Sequence, residues 1–111
     1  MTNISNYVFY GCKSLTSITI PDSVTSIGDE AFSWCTTLAS ITILNGVTSI
    51  GAEAFYFCES LTSITIPDSV TSINSRAFSF CESLQKVIFS KQSPLISKIK
   101  TDYVRWGLDL K

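Results

Sequence analysis

A single interval of 23 residues organises this chain of 111 residues. The string SLTSITIPDSVTSI occurs twice without change, at Ser14–Ile27 and at Ser60–Ile73. Four residue types recur at the same interval, at Ile4, Ile27, Ile50, Ile73 and Ile96; Phe9, Phe32, Phe55 and Phe78; Cys12, Cys35, Cys58 and Cys81; and Leu15, Leu38, Leu61 and Leu84. A lone unit of this length cannot bury its apolar face. We therefore expect the units to stack into one solenoid with a continuous core.

Each unit divides into a strand, a turn and a third segment. In the strand SITI, at 63–66, the two isoleucines share one face while serine and threonine lie on the other. Pro67–Asp68 predicts the end of that strand, and Val70–Ile73 predicts a return to the core through a second short extended segment. The third segment, GAEAFYFC at 51–58, has the composition of a helical turn, α or 3₁₀.

The strings AFSWCTTLASITI and AFYFCESLTSITIPDSVTSIG resemble the BspA-like, or Treponema-type, leucine-rich repeats. That pattern runs Ala-Phe-x-x-Cys-x-x-Leu, then Leu-x-x-Ile-x-Ile-Pro, then Ser-Val-Thr-x-Ile-Gly, and the match covers Ile4 to Phe89. The resemblance implies an α/β repeat fold. It is a right-handed leucine-rich-repeat solenoid of about four 23-residue units, with its parallel sheet on the concave side. It also implies an extracellular or cell-surface protein similar to adhesins that bind matrix proteins or cells.

Both ends of a solenoid need a cover for the exposed core. At the N-terminus we expect only a thin cover, from Tyr7, Val8 and Phe9. After Phe89 the repeat breaks, which divides the chain into a solenoid at 1–92 and a C-terminal tail at 93–111. Ser93 and Pro94 resemble a helix start, and the apolar spacing that follows them predicts an amphipathic capping helix. The alternative is a linker, or a helix that docks on a further domain or partner.

Charge and composition exclude several functions. The chain has no histidine, the commonest general base and zinc ligand, and we find no convergent cluster of other catalytic groups, so we predict neither an enzyme nor a cofactor. A net charge of −1 predicts no nucleic-acid partner. Residues 83–111 hold six basic and two acidic side chains. We expect them to form a solvated face rather than a membrane contact. The first residues lack the pattern of a secretory signal.

The four cysteines follow the repeat, so we expect a ladder of buried apolar thiols. Disulfides and a metal site remain alternatives. Stacked rungs hold parallel Cβ vectors about 4.8 Å apart, which is wider than a disulfide favours. Zinc would require a closer pairing of cysteines or the presence of histidines.

Two surfaces are candidates for binding a protein ligand. The first, here called the polar face, consists of the outward residues of the strands: Ser17, Thr19, Ser40, Thr42, Ser63, Thr65, Lys86 and Ile88. The alternative is that this face binds nothing and is a soluble ladder of hydroxyl groups that favours strand structure. The second, here called the aromatic stripe, consists of Trp34, Tyr56, Phe57 and Phe80. These residues occupy the two positions before a cysteine, both of which we expect to be partly exposed; the other residues at these positions are Tyr10, Gly11, Ser33 and Ser79. Those rings either mark an interface or lie over the solenoid edge and complete the core.

We therefore expect a non-catalytic recognition module of adhesion type from a surface or secreted protein. The alternatives are a self-assembling structural repeat that forms a homo-oligomer, and a cytosolic adaptor or effector. The identity of the protein ligand does not follow from the sequence.

Overall fold

Two parallel sheets form the walls of the solenoid in the computed structural model, which describes residues 3–74 and 76–89. The strands are β1 (Asn3–Ile4), β2 (Ser17–Ile20), β3 (Ser26–Ile27), β4 (Ser40–Ile43), β5 (Ser49–Ile50), β6 (Ser63–Ile66), β7 (Ser72–Ile73) and β8 (Lys86–Phe89). One sheet has the order β1-β3-β5-β7 and the other β2-β4-β6-β8. The chain alternates between the two walls, so each unit contributes one four-residue strand and one two-residue strand.

The register of both sheets is the sequence repeat itself. Ile27 pairs with Ile50 between β3 and β5, and Thr42 pairs with Thr65 between β4 and β6, each with the residue 23 positions ahead. Inward isoleucines are buried and outward serines and threonines exposed along β4 and β6. The expected parallel-strand solenoid of about four turns is thus confirmed, including its second short extended segment.

Stacked phenylalanines form the centre of the core. Phe9, Phe32, Phe55 and Phe78 lie one above another, with ring centroids 5.2, 5.3 and 5.4 Å apart and interplanar angles of 12°, 1° and 8°. We call these four residues the phenylalanine ladder. The last three of them are fully buried, while Phe9 is only partly buried at the N-terminal end.

The third segment of the units is not helical in residues 3–74 and 76–89, so the expected helical turn is wrong there. Ser33 donates its N–H to the carbonyl of Glu30 at 3.2 Å, within the unit, but Trp34 donates to the carbonyl of Tyr56 in the next unit at 2.7 Å. Glu30 and Trp34 have φ values of 52° and 63°, outside the range of a right-handed helix. Hydrogen bonds between units therefore override the helical preference of the local sequence.

The N-terminal cover differs from the expected one. Tyr7 and Val8 are 56% and 53% exposed and do not cover the first strand. Tyr7 has a φ of 62° and hydrogen-bonds through its hydroxyl to Glu30, which raises the pKa of Tyr7. Of Tyr7, Val8 and Phe9, only Phe9 packs against the core, which Ile4 also joins at this end. The predicted capping helix at 93–111 lies outside the described residues. In the part of the chain that the structure describes, no helix is long and apolar enough to cross a bilayer.

Candidate functional site

The polar face is a continuous exposed surface on the sheet β2-β4-β6-β8. All eight of its predicted residues are exposed. The parallel register sets Ser17 beside Ser40, and Thr65 beside Ile88. The sequence therefore located this surface correctly, while its role in binding stays a prediction.

A depression of about 440 Å³ lies at one end of the polar face, where β4 and β6 run into their turns. Leu44, Pro67 and Ile88 contribute to its lining, and Leu44 and Ile88 are 41% and 45% exposed. Sequence reasoning did not find this feature. The signal in the sequence was Leu44, which occupies the position where the flanking units carry proline. Unlike proline, Leu44 has a backbone N–H, and it donates this group to the carbonyl of Ile20 at 3.1 Å.

The rings of the aromatic stripe stack along the solenoid axis. The centroids of Trp34 and Phe57 are 4.3 Å apart with planes 4° from parallel, and those of Phe57 and Phe80 are 5.6 Å apart at 20°. Trp34 is 39% and Phe80 61% exposed, and Phe57 is partly buried between them. The rings therefore form an ordered apolar strip that remains accessible to solvent.

Tyr56 braces this stack from one side. Its ring meets Trp34 edge-on at 6.0 Å and Phe80 edge-on at 5.5 Å, the geometry that the quadrupoles of aromatic rings favour. The equivalent residues one unit away on either side are Ser33 and Ser79. The sequence predicted partial exposure at this position, which is wrong for Ser33. Ser33 is fully buried, and its hydroxyl donates to the carbonyl of Glu53 at 2.6 Å.

The backbone under the stripe is left-handed. Trp34, Phe57 and Phe80 have φ values of 63°, 60° and 59°, and Gly11, at the same position of the preceding unit, has 69°. For a bulky side chain this conformation costs about 1–2 kcal/mol. Glycine would adopt this conformation without that cost. The three aromatic residues therefore occupy positions where the backbone alone favours glycine.

The four cysteines are free thiols, and only Cys12 is partly accessible. Each of the other three donates its S–H to the carbonyl of the phenylalanine 26 residues earlier: Cys35 to Phe9 at 3.0 Å, Cys58 to Phe32 at 3.1 Å and Cys81 to Phe55 at 2.9 Å. Burial raises the pKa of Cys35 and Cys58, and raises that of Cys81 to about 12. A protonated thiol is a poor nucleophile and a poor metal ligand, so this ladder is structural. The expected ladder of buried thiols is confirmed for these three cysteines.

A family match follows the same repeat. Residues 2–103 match the family described as BspA type Leucine rich repeat region (6 copies). The chain belongs to the BspA-type leucine-rich repeat family. This confirms the resemblance drawn from the sequence, and such repeats generally act as non-enzymatic scaffolds for protein interaction.

Solved structures of bacterial leucine-rich repeat proteins are similar to this BspA-type chain. A leucine-rich repeat protein from Bacteroides capillosus is 33% identical with a TM-score of 0.75, and the match covers 81% of this chain and 64% of that one. A leucine rich cell surface protein from Faecalibacterium prausnitzii is 30% identical with a TM-score of 0.58, over 100% of this chain and 34% of that one. The pneumococcal vaccine antigen PcpA is 33% identical with a TM-score of 0.62, over 70% and 19%.

The chain therefore spans less than two thirds of the length of each of these three proteins. A search of curated proteins found no match. The descriptions of two neighbours as a cell surface protein and a vaccine antigen agree with a surface module by resemblance.

Proposed function

We propose that this chain is a non-catalytic recognition module of a surface or secreted protein, and that it binds a protein ligand through the aromatic stripe. The observation that carries the proposal is the ordered stack of Trp34, Phe57 and Phe80, exposed to solvent on a left-handed backbone. Tryptophan and tyrosine are the residues most enriched at the energetic centres of protein interfaces.

The polar face is the weaker of the two candidate surfaces. Along β2, β4 and β6 it presents small hydroxyl side chains, which seldom dominate binding energy. Within the proposed function it is a soluble surface beside the binding site and does not itself bind the ligand. Leu44 and Ile88 supply exposed apolar area on this side of the solenoid, at one end of the face.

The test uses the full chain against a panel of extracellular-matrix and cell-surface proteins, with two matched double variants. Phe57→Ser with Phe80→Ser removes two rings of the stripe, and Ser40→Arg with Ser63→Arg obstructs the polar face. We expect the first pair to weaken binding more than ten-fold and the second pair to change it less than three-fold, measured by surface plasmon resonance. Loss of binding with the arginine pair alone would assign recognition to the polar face instead.

Self-assembly is the second candidate function, because the first unit leaves core residues accessible. Leu15 and Ile18 are only partly buried, whereas their equivalents Leu38, Leu61 and Ile64 are buried. A homo-oligomer would cover this end of the solenoid. Under this alternative, light scattering at high concentration would give a mass above that of the monomer, and Ile18→Lys would restore the monomer. A monomer at all concentrations removes this alternative.

A further inference from the structure

The aromatic stack ends at Trp34, and the next position along it is Gly11. The two residues occupy equivalent places in consecutive units, since Gly11 donates its N–H to the carbonyl of Ser33 at 2.8 Å just as Trp34 donates to that of Tyr56 at 2.7 Å. Their φ values, 69° and 63°, agree. Gly11 therefore lies one step of the solenoid below Trp34 and places no side chain against the indole.

The space beside Gly11 is open among the residues that the structure describes. A Cβ atom built on Gly11 meets no heavy atom of those residues within 4 Å apart from its chain neighbours. Trp34 remains 39% exposed although Phe57 covers its other face. The stack thus has an unfilled position next to the free face of the Trp34 indole, and we call this position the Gly11 notch.

We propose that the Gly11 notch binds one planar aromatic side chain of the partner polypeptide, which stacks on Trp34 and extends the row of Phe57 and Phe80 by one ring. This inference rests on the proposed function and names the chemistry of the partner at one end of the aromatic stripe. The ligand ring takes the place that a side chain at residue 11 would otherwise fill.

The geometry of the neighbouring units selects a ring over other apolar groups. Trp34, Phe57 and Phe80 repeat a parallel stacked arrangement, so a further ring on the free face of Trp34 would continue it. Tyr10 stands next to Gly11 as Tyr56 stands next to Phe57, and Tyr10 is 49% exposed. Tyr56 packs against the rings of its own and both adjacent units, whereas the ring of Tyr10 packs against Tyr7, with centroids 5.9 Å apart. Aromatic pairs gain from such contacts beyond the area they bury, which aliphatic side chains do not.

The test fills the notch from within the chain. Gly11→Phe supplies the missing ring in cis, and the backbone accepts it because phenylalanine already occupies the same left-handed conformation at Phe57 and Phe80. Gly11→Ala is the matched control, since it adds a Cβ and the same backbone restriction but no ring. The probes are two peptides, Ac-Ser-Gly-Trp-Gly-Ser-NH₂ and the same sequence with leucine at the centre. Methyl glucoside is a third probe, because sugar rings also stack on indoles.

Each probe is titrated into ¹⁵N-labelled full-length chain while the amide of Gly11 and the indole N–H of Trp34 are followed by NMR. We expect saturable shifts with the tryptophan peptide and binding at least about three-fold weaker with the leucine peptide. We also expect these shifts to be lost in Gly11→Phe and kept in Gly11→Ala. Equal binding of the two peptides, preference for the glucoside, or undiminished binding to Gly11→Phe would each overturn the proposal.

A partner protein from the panel separates this inference from the proposed function. If that partner binds Gly11→Phe as well as the wild type but loses affinity for Phe57→Ser with Phe80→Ser, the stripe is the binding surface and the notch is not part of it. If neither variant affects the partner while the tryptophan peptide still occupies the notch, that partner binds elsewhere. The proposed function then fails, and only the preference of the notch for an aromatic side chain stands.

Discussion

Two rows of aromatic rings run along this solenoid, two residues apart in each unit, with opposite relations to solvent. Phe55 in the phenylalanine ladder is fully buried between rings 5.3 and 5.4 Å away. Phe57 in the aromatic stripe stacks just as regularly, at 4.3 and 5.6 Å, but at the surface of the solenoid. Both rows follow the same 23-residue interval. The periodic sequence therefore fixes which residues touch, whereas the direction of the side chain decides whether the ring is buried in the core or exposed at the surface.

The backbone separates the two rows further. Phe57 and its neighbours in the stripe adopt left-handed conformations that glycine satisfies without strain, as Gly11 shows. Stacking between exposed rings offsets that strain only in part, since it contributes about 0.5–1.5 kcal/mol per pair. The net contribution of the stripe to the free energy of unfolding is thus close to zero, whereas the phenylalanine ladder is essential for folding.

The largest expected effect comes from truncating one ring of each row. Phe55→Ala should lower the free energy of unfolding by about 3–5 kcal/mol, because it leaves a cavity in the core. Its matched control, Phe57→Ala, should cost less, about 1–3 kcal/mol, because it removes the stacking contacts with Trp34 and Phe80 at about 0.5–1.5 kcal/mol each. Urea denaturation followed by circular dichroism gives both values. Equal losses would contradict the distinction between the two rows.

An intermediate effect is expected from the thiols packed beside the ladder. Burial raises the pKa of Cys58 in the folded state, whereas an unfolded cysteine ionises near pH 9. The contribution of the buried, protonated thiol to the free energy of unfolding is therefore complete below about pH 9. It is lost as the pH rises toward the folded pKa, at about 1.4 kcal/mol per pH unit for each such thiol. Between pH 9.5 and 10.5 the stability of Cys58→Ala should therefore fall less steeply than that of the wild type, by about that amount. Identical slopes in urea titrations would mean that the thiol ionises in the folded protein.

The burial of the cysteines also predicts the order in which they react with a thiol reagent. A thiol reagent at neutral pH should modify Cys12, which is partly exposed, before the other three, and should modify all four once the chain is unfolded. Fast reaction of Cys35 in the folded chain would place that residue outside the core.

The smallest effect is expected where the stripe is converted to its glycine equivalent. Phe80→Gly loses the stacking contact with Phe57 and the edge-on contact with Tyr56, each worth about 0.5–1.5 kcal/mol. It also relieves one left-handed residue, which returns about 1–2 kcal/mol, so the opposing terms nearly cancel. The midpoint of urea denaturation should change little, while Phe78→Gly, in the ladder, should unfold the chain at far lower urea. A large loss with Phe80→Gly would show that the stripe belongs to the core.

The sequence predicted the contacts between units much better than the path of the chain within a unit. That Phe32 lies over Phe55 and Ile27 beside Ile50 follows from the repeat, since equivalent residues of stacked units must meet. The left-handed residues at Glu30 and Trp34 could not be predicted in this way, because the local composition favours a helical turn. Hydrogen bonds to the next unit, which depend on the whole stack, decide the conformation there.

The candidate surfaces show the same division. The exposure of the polar face follows from the alternation of residues in SITI strands, and the alignment of the stripe follows from its fixed distance to the cysteines. The burial of Ser33 was missed because it depends on a hydrogen bond to Glu53 in the neighbouring unit. The Gly11 notch was also missed, because Gly11 appeared only as a gap in the aromatic pattern and its left-handed backbone was not foreseen.

Solvent accessibility of the two rows, measured in one sample, tests the account most directly. A soluble gadolinium reagent added to the full-length chain enhances the NMR relaxation of exposed ring protons and leaves buried ones unaffected. We expect strong enhancement at Trp34 and Phe80 and almost none at Phe32 and Phe55. Comparable enhancement in both rows, or protection of the stripe in the monomer, would contradict the separation of a buried ladder from an exposed stripe.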